Sequence, residues 1–222
     1  MNDGRPRKLV QSRAEETRAR ILSTARNAFA ENGFDGANMR DIAAMAGVTH
    51  PVIKYHFGNK ESLWRASVRD MFETLSREMA LDDGKVQLDT ADGYRTFVRR
   101  YIRYCAQHPE HARIMIAETV RGGERLKWMV DEFIRPTSTS FVPHARSLMD
   151  QGVLPETWML SINYIVTAMC QSPFVMAPEA SELFGVDVFT DEAIEAHTES
   201  VLRFLFPGWT SDDPDPWPST TI

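Results

Sequence analysis

The sequence predicts an all-α protein, and three observations carry that prediction. Apolar residues recur at i, i+3 or i+4, and i+7 rather than in alternation. Helix-starting residues and helix-stopping glycines punctuate the chain at helical lengths. No hairpin signal, convincing strand or internal repeat interrupts the pattern. About nine helices are expected from these signals.

Residues 1–11, with Arg5, Arg7 and Lys8 and no apolar pattern, form a basic flexible arm in this reading. Order is expected from Ser12, which stands with Glu15 at capping-box spacing. The next helix places Ile21, Leu22, Ala25, Ala28 and Phe29 on one face and stops at Asn32 and Gly33, where glycine suits a left-handed position. Asn38 caps a short helix over 39–46 that ends at Gly47, and Thr49 caps a third running to about His56. Pro51 is tolerated there because the first turn has free N–H groups anyway. Gly58 and Asn59 precede a longer helix from Lys60 to about residue 80, with Leu63, Ala66, Val68, Met71, Phe72 and Leu75 on its apolar face.

Asp82, Asp83 and Gly84 mark a break. Further helical segments are expected over 90–107, 110–121, 124–151, 157–172 and 190–206. They are separated at His108 and Pro109, at Gly122 and Gly123, at Gly152 with Pro155, and from Pro173 to Pro178. Pro136 and Pro143 should kink or split 124–151. Thr190 followed by Asp191 and Glu192 makes a good final helix start. Residues 207–222 hold four prolines and are expected to be a disordered tail.

Composition narrows the function. The chain has 222 residues, a net charge of −6 and only two cysteines, Cys105 and Cys170, so it is no disulfide scaffold and no Cys-based zinc module. No run of about 18 apolar residues is present, and the N-terminus lacks the apolar core of a secretory signal. A soluble cytoplasmic protein with reduced thiols and no membrane partner is expected. No P-loop, G-x-G-x-x-G, G-x-S-x-G or H-E-x-x-H motif occurs, so neither catalytic residues nor a cofactor are expected. Cys105, His108 and His111 form a C-x-x-H-x-x-H run, but Pro109 breaks the helix between the histidines and no acidic fourth ligand is evident. Loop or cap roles are expected for it, and no metal. Charge is asymmetric: residues 1–65 carry 11 Lys/Arg against 7 Asp/Glu, whereas 66–222 carry 14 against 24. A basic head on an acidic body hints at a polyanionic partner.

Residues 39–58, MRDIAAMAGVTHPVIKYHFG, have the organisation of a helix-turn-helix. Ala43 is small where two helices would cross, Gly47 sits in the turn, and Val48 and Ile53 supply apolar contacts that fix the interhelical angle. That arrangement presents the second helix to a major groove about 12 Å wide. Polar His50, Lys54, Tyr55 and His56 would be poor core residues.

The resemblance is wider than this motif. Residues 17–64 resemble the DNA-binding region of the TetR/AcrR family of transcriptional regulators. The matching features are Ile21–Leu22, Ala25 with Phe29, Gly33–Phe34, Gly36–Ala37, Ile42–Ala43, Ala46–Gly47–Val48, Tyr55–His56–Phe57 and Lys60–Glu61–Ser62–Leu63. The rest of the chain is similar only in size, helical pattern and helix order. The resemblance implies a homodimeric repressor: a reading head over 12–59, a helical effector-binding and dimerising body over 60–206, a double-stranded, pseudo-palindromic operator, and an unidentified small-molecule effector. It also implies base or phosphate contacts from Thr49, His50, Pro51, Lys54, Tyr55 and His56, and phosphate clamping by Asn38, Arg40 and Lys60 at helix starts. The arm residues Arg5, Arg7 and Lys8 would follow a minor groove. An aromatic residue is frequent in the family where Lys54 stands, so the base preference is not transferable.

Two further sets are expected in the body. Phe97, Tyr101, Cys105, Met115, Trp128, Met129, Phe133, Tyr164 and Met169 are Met- and aromatic-rich and would line an effector pocket, core packing being the alternative. Trp158, Ile162, Ile165, Ile194, Val201, Leu202 and Leu205 give two C-terminal helices more than one apolar face and would form a dimer seam. A helical ligand-binding or enzymatic protein, or an activator or adaptor on the same fold, remains the alternative function.

Overall fold

A computed structural model describes residues 5–79 and 87–206, with side chains from Arg13 onward. Helices are the regular secondary structure among them: α1 (Arg5–Gly36), α2 (Met39–Met45), α3 (His50–Phe57), α4 (Lys60–Glu78), α5 (Ala91–Gln107), α6 (Pro109–Arg121), α7 (Glu124–Met129), a π-helical stretch (Val130–Ile134), α8 (Arg135–Asp150), α9 (Met159–Val175), α10 (Ala177–Phe184) and α11 (Asp191–Leu205). The 82–84 break and the 207–222 tail lie outside the described residues. No single described helix is long and apolar enough to cross a membrane.

The chain divides into two compact units. The first comprises Met1–Leu75 and Arg113–Arg121. Its core is the predicted stripe of α1 (Ile21, Leu22, Ala25, Phe29) together with Ile42, Ile53, Leu63, Trp64, Val68 and Met71, all buried. The unit therefore extends past the boundary expected at residue 59, because α4 buries Leu63, Trp64, Val68 and Met71 and its Asp70 pairs with Arg26 of α1. Helix α1 also begins earlier than expected. Residues 5–11 are helical and Ser12 lies inside the helix, so it is no N-cap. Nothing from Arg7 to Ser12 breaks a helix, and Pro6 falls in the first turn, where its missing N–H costs nothing. Gly33 interrupts α1 as expected, at φ 66° and ψ 176°.

The second unit comprises Ser76–Ala112 and Gly122–Ile222. Helix α5 packs on α9 and α11, burying Tyr94, Val98, Ile102 and Cys105 against Cys170, Phe174 and Leu202 in the core of that unit. Thr90 caps α5 by accepting from the Gly93 N–H at 3.1 Å, and Thr190 caps α11 by accepting from Ala193 at 3.2 Å. Helices α9 and α11 run antiparallel. Phe174 meets Phe189 at 6.0 Å between ring centroids, and His197 meets Met169.

Prolines act differently from expectation in two places. The 124–151 segment is split, but the break precedes Pro136: the Arg135 N–H reaches back five residues to Val130, and Pro143 stays inside α8. A widened turn relieves the clash between a proline ring and the carbonyl four residues before it. Pro173 does not end α9 at all, and the helix continues to Val175. Its ring removes the N–H that would bond the Met169 carbonyl. His197 supplies the missing donor, with Nε2 2.9 Å from that oxygen. The real break is Met176 alone, where the chain bends by 67° into α10, a helix the sequence reading did not anticipate. Replacing His197 with Ala orphans the Met169 carbonyl. The expected cost is about 1–3 kcal/mol, measured by urea unfolding at neutral pH.

Candidate nucleic-acid interface

The interface is built from residues 38–60. The Asn38 side chain accepts the Arg40 N–H at 2.9 Å, which starts α2. Ala46 closes the helix, Gly47 takes φ 66°, and the Val48 N–H bonds the Ala43 carbonyl at 2.9 Å. A Cβ at that φ would be strained, so the turn depends on glycine. Arg20 of α1 donates from Nε to the Ala46 carbonyl at 2.9 Å and clamps the turn from outside it. This positioning residue was missed by sequence reasoning, since a contact 26 residues away leaves no local mark.

Thr49 precedes α3 in extended conformation without a side-chain cap bond, and Pro51 lies in the first turn. Ile53 and Phe57 are buried and fix the helix by its inner face, and Arg18 lies over the Phe57 ring at 5.5 Å. The outer face presents Thr49, Pro51, Lys54 and Tyr55 as exposed and His50 and His56 as half-buried. Tyr55 is 86% exposed, with its ring edge-on to His56 at 5.4 Å. An exposed aromatic beside a lysine is an unusual surface for a helix with nothing to bind. Asn38 and Arg40 are exposed at the start of α2. Asn59 caps α4 by accepting the Ser62 N–H at 2.8 Å. Lys60 is half-buried; its Nζ donates to the Asp35 carbonyl at 3.0 Å and lies 4.8 Å from the Phe34 ring centroid. One of its three protons is thus committed within the chain. Residues Arg5, Arg7 and Lys8 belong to α1 by backbone, and their side chains lie outside the description.

The nine residues expected to line a pocket differ in their burial. Cys105 and Met129 are core, Tyr164 is 61% exposed, and Phe97, Tyr101, Met115, Trp128, Phe133 and Met169 are half-buried. Phe97 stacks on Tyr101 at 6.1 Å and meets Phe141 of α8 at 5.0 Å. A shallow cleft lies elsewhere, lined by Arg99, Arg100, Arg103, Ile194, Glu195 and Thr198. Burial pushes the Cys105 thiol up to about 12 and the Cys170 thiol higher still, so both are poor nucleophiles and poor metal ligands.

The expected seam is also redistributed. Ile162, Val201, Leu202 and Leu205 are buried inside the unit and Ile194 is half-buried, whereas Trp158 and Ile165 are exposed. The apolar surface that α9 and α11 turn outward is Trp158, Leu160, Tyr164, Ile165 and Phe204. Two apolar faces were legible on each helix; packing chose which went inward.

Two short helices at a glycine turn, with a polar outer face on the second, define a helix-turn-helix protein. Residues 21–66 match the model of the tetR family of bacterial regulatory proteins. It is similar to the HTH-type transcriptional repressor NicS of Pseudomonas putida, 30% identical over 142 residues that cover 63% of this chain and 64% of that one. It is also similar to the HTH-type transcriptional regulator TtgR of Pseudomonas putida, 41% identical over 65 residues covering 29% and 31%. The matches thus span less than two thirds of these relatives. Among solved structures, AibR in complex with isovaleryl coenzyme A and operator DNA shares the fold at a TM-score of 0.63 and 17% identity, covering 87% of this chain and all (100%) of that one. A tetR-family regulatory protein from Rhodococcus RHA1 does so at 0.62 and 20%, covering 86% and 97%.

Proposed function

We propose that the protein is a sequence-specific DNA-binding transcriptional regulator. It binds a two-fold-symmetric operator as a homodimer, represses by occupying it, and is released by a small-molecule effector. The observation that carries the reading is the two-sided α3: Ile53 and Phe57 lock its inner face while Thr49, Lys54 and Tyr55 stand free on the outer one. Thr49 and His50 sit at the end of α3 that reaches base edges, and Lys54 one turn further on. Tyr55, His56, Asn38, Arg40 and the remaining protons of Lys60 take phosphates, helped by the N-termini of α2 and α4. The repressor name of NicS and the complex of AibR with isovaleryl coenzyme A and operator DNA support the same mode of action. The effector contact is placed on the half-buried row of Phe97, Tyr101 and Phe141, and the dimer contact on the outward apolar surface of α9 and α11.

The test is selection of duplexes from a randomised library by the purified chain at about 0.15 M salt, because affinities mean little without a stated ionic strength. An enriched two-fold-symmetric sequence supports the reading. No enrichment, with or without cell extract as a source of effector, overturns it. On the selected duplex, K54A is expected to cost about 1–3 kcal/mol, roughly 5- to 150-fold, and to relax preference at one base position. An unchanged base preference would remove Lys54 from base reading.

A further inference from the structure

The fold takes the C-x-x-H-x-x-H run apart. Cys105 turns into the core, and the two histidines turn to other partners. His108 caps the C-terminus of α5, its N–H donating to the Tyr104 carbonyl at 2.8 Å, and Pro109 opens α6 beside it. Its Nε2 lies 3.1 Å from the carboxylate of Glu78, the last residue of α4, and its Nδ1 lies 3.4 Å from Glu110 in the first turn of α6. The ring rests on Tyr104 at 4.7 Å, and the Tyr104 hydroxyl is 2.6 Å from Nδ1 of His111. An ionised carboxylate only accepts, so an imidazole bonded to one through each nitrogen carries both protons. Two features favour that cation, the carboxylates of Glu110 and Glu78, while the negative end of the α5 dipole and the positive start of α6 act on it in opposite senses. The hydrogen bond that His108 donates to Glu110 raises its pKa most, partial burial works against it, and the bond to Glu78 adds to it.

We propose that His108 is a positioning residue for DNA reading: its imidazolium latches the end of α4 to the α5–α6 corner, and operator binding depends on that latch. The inference rests on the operator-binding reading above. Helix α4 is continuous from Lys60, beside the reading helices, to Glu78, a span of roughly 28 Å at 1.5 Å per residue. A stiff rod held at its last residue has less freedom in its first turns, where Lys60 and the buried Leu63 and Trp64 meet α1. Deprotonation removes the positive charge between two carboxylates and leaves them facing each other across a neutral ring.

The sign follows from linkage. A folded-state pKa above the ordinary value of about 6.5 makes the latch complete below that pH, and it is lost as pH rises through the folded value. The groups that face His108 are Glu78 of α4, Tyr104 of α5, and Glu110 and His111 of α6. Burial lowers the pKa of His197, so its contribution falls as pH drops. The informative quantity is therefore the difference between wild type and variants at each pH.

The experiment uses the full chain as wild type, H108Q and E78Q from about pH 5.5 to about pH 8.5, the range where histidines exchange protons. NMR follows the His108 ring, calorimetry the thermal midpoint, and anisotropy the binding of the duplex selected from the randomised library. His108 should titrate above the ordinary histidine range in wild type and lower in E78Q. Wild type should lose midpoint relative to H108Q as pH rises, and should lose at least about threefold more duplex affinity than H108Q over the same range. The same His108 titration in E78Q as in wild type overturns the latch. Superimposed binding profiles of wild type and H108Q overturn its role in DNA reading. If no duplex is ever selected, the operator reading and this role fall together, while the NMR titration still judges the latch on its own.

Discussion

The double variant W158D/F204D is expected to sediment as a monomer and to bind the selected duplex about 10²–10⁴-fold more weakly than wild type, the loss that follows when a second linked binding event is removed. Trp158 is 70% exposed and Phe204 72% exposed, so neither change touches the core of the unit, and the protomer should keep its helicity and thermal cooperativity. Antiparallel α9 and α11 bring the two rings to the same end of the helix pair, with Tyr164 and Ile165 extending the surface. A charge buried there in a dimer would lack a partner and cost several kcal/mol. Sedimentation velocity decides the case. A variant that remains a dimer would show that the copies meet elsewhere. The single variants L202D and V201D, in contrast, should unfold the unit, because those side chains are spent inside it.

The second large effect is expected from Trp64→Ala. Its indole is 1% exposed and meets the Phe34 ring edge-on at 6.2 Å, and Phe34 in turn stacks on Phe29 at 6.2 Å. This column holds the start of α4 against α1, and the Lys60 ammonium caps it over Phe34. Truncation leaves a cavity between the two packed helices, so a loss of about 3–5 kcal/mol is expected. For a chain of this size each kcal/mol moves the melting midpoint by roughly 2–4 °C. The variant should lose DNA binding together with its midpoint. K54A should lose binding with the midpoint unchanged, because Lys54 is exposed. That contrast separates a residue that builds the reading head from one that reads. A midpoint unmoved in Trp64→Ala would mean that the column is not structural.

The reading motif was legible to within a residue or two. Asn38, Gly47, Pro51, Gly58 and Asn59 act on partners no more than a few positions away, and their caps and turns form as expected. The family resemblance rested on the same short-range pattern and covers the same residues. The errors lie where the partner is distant. Pro173 looked like a helix end because the sequence does not show that His197, 24 residues later, supplies the Met169 carbonyl with the donor that Pro173 lacks. Nothing near Arg20 in the chain marks its partner, the Ala46 carbonyl 26 residues away. His108 and His111 looked like one motif, although His108 pairs with Glu78 and Glu110 while His111 bonds the Tyr104 hydroxyl.

By itself, the sequence determined the helical class, the helix-turn-helix and the outer face of α3, because periodicity, caps and glycine turns are written within one or two turns of chain. Tertiary structure alone decided which of two apolar stripes on α9 and α11 turned inward, that α4 joined the reading unit, and that His108 became a clasp between α4 and α6. Burial is settled by what packs against a face, and ion pairing by which helix ends meet. Both depend on residues far apart in the chain, which local pattern does not encode.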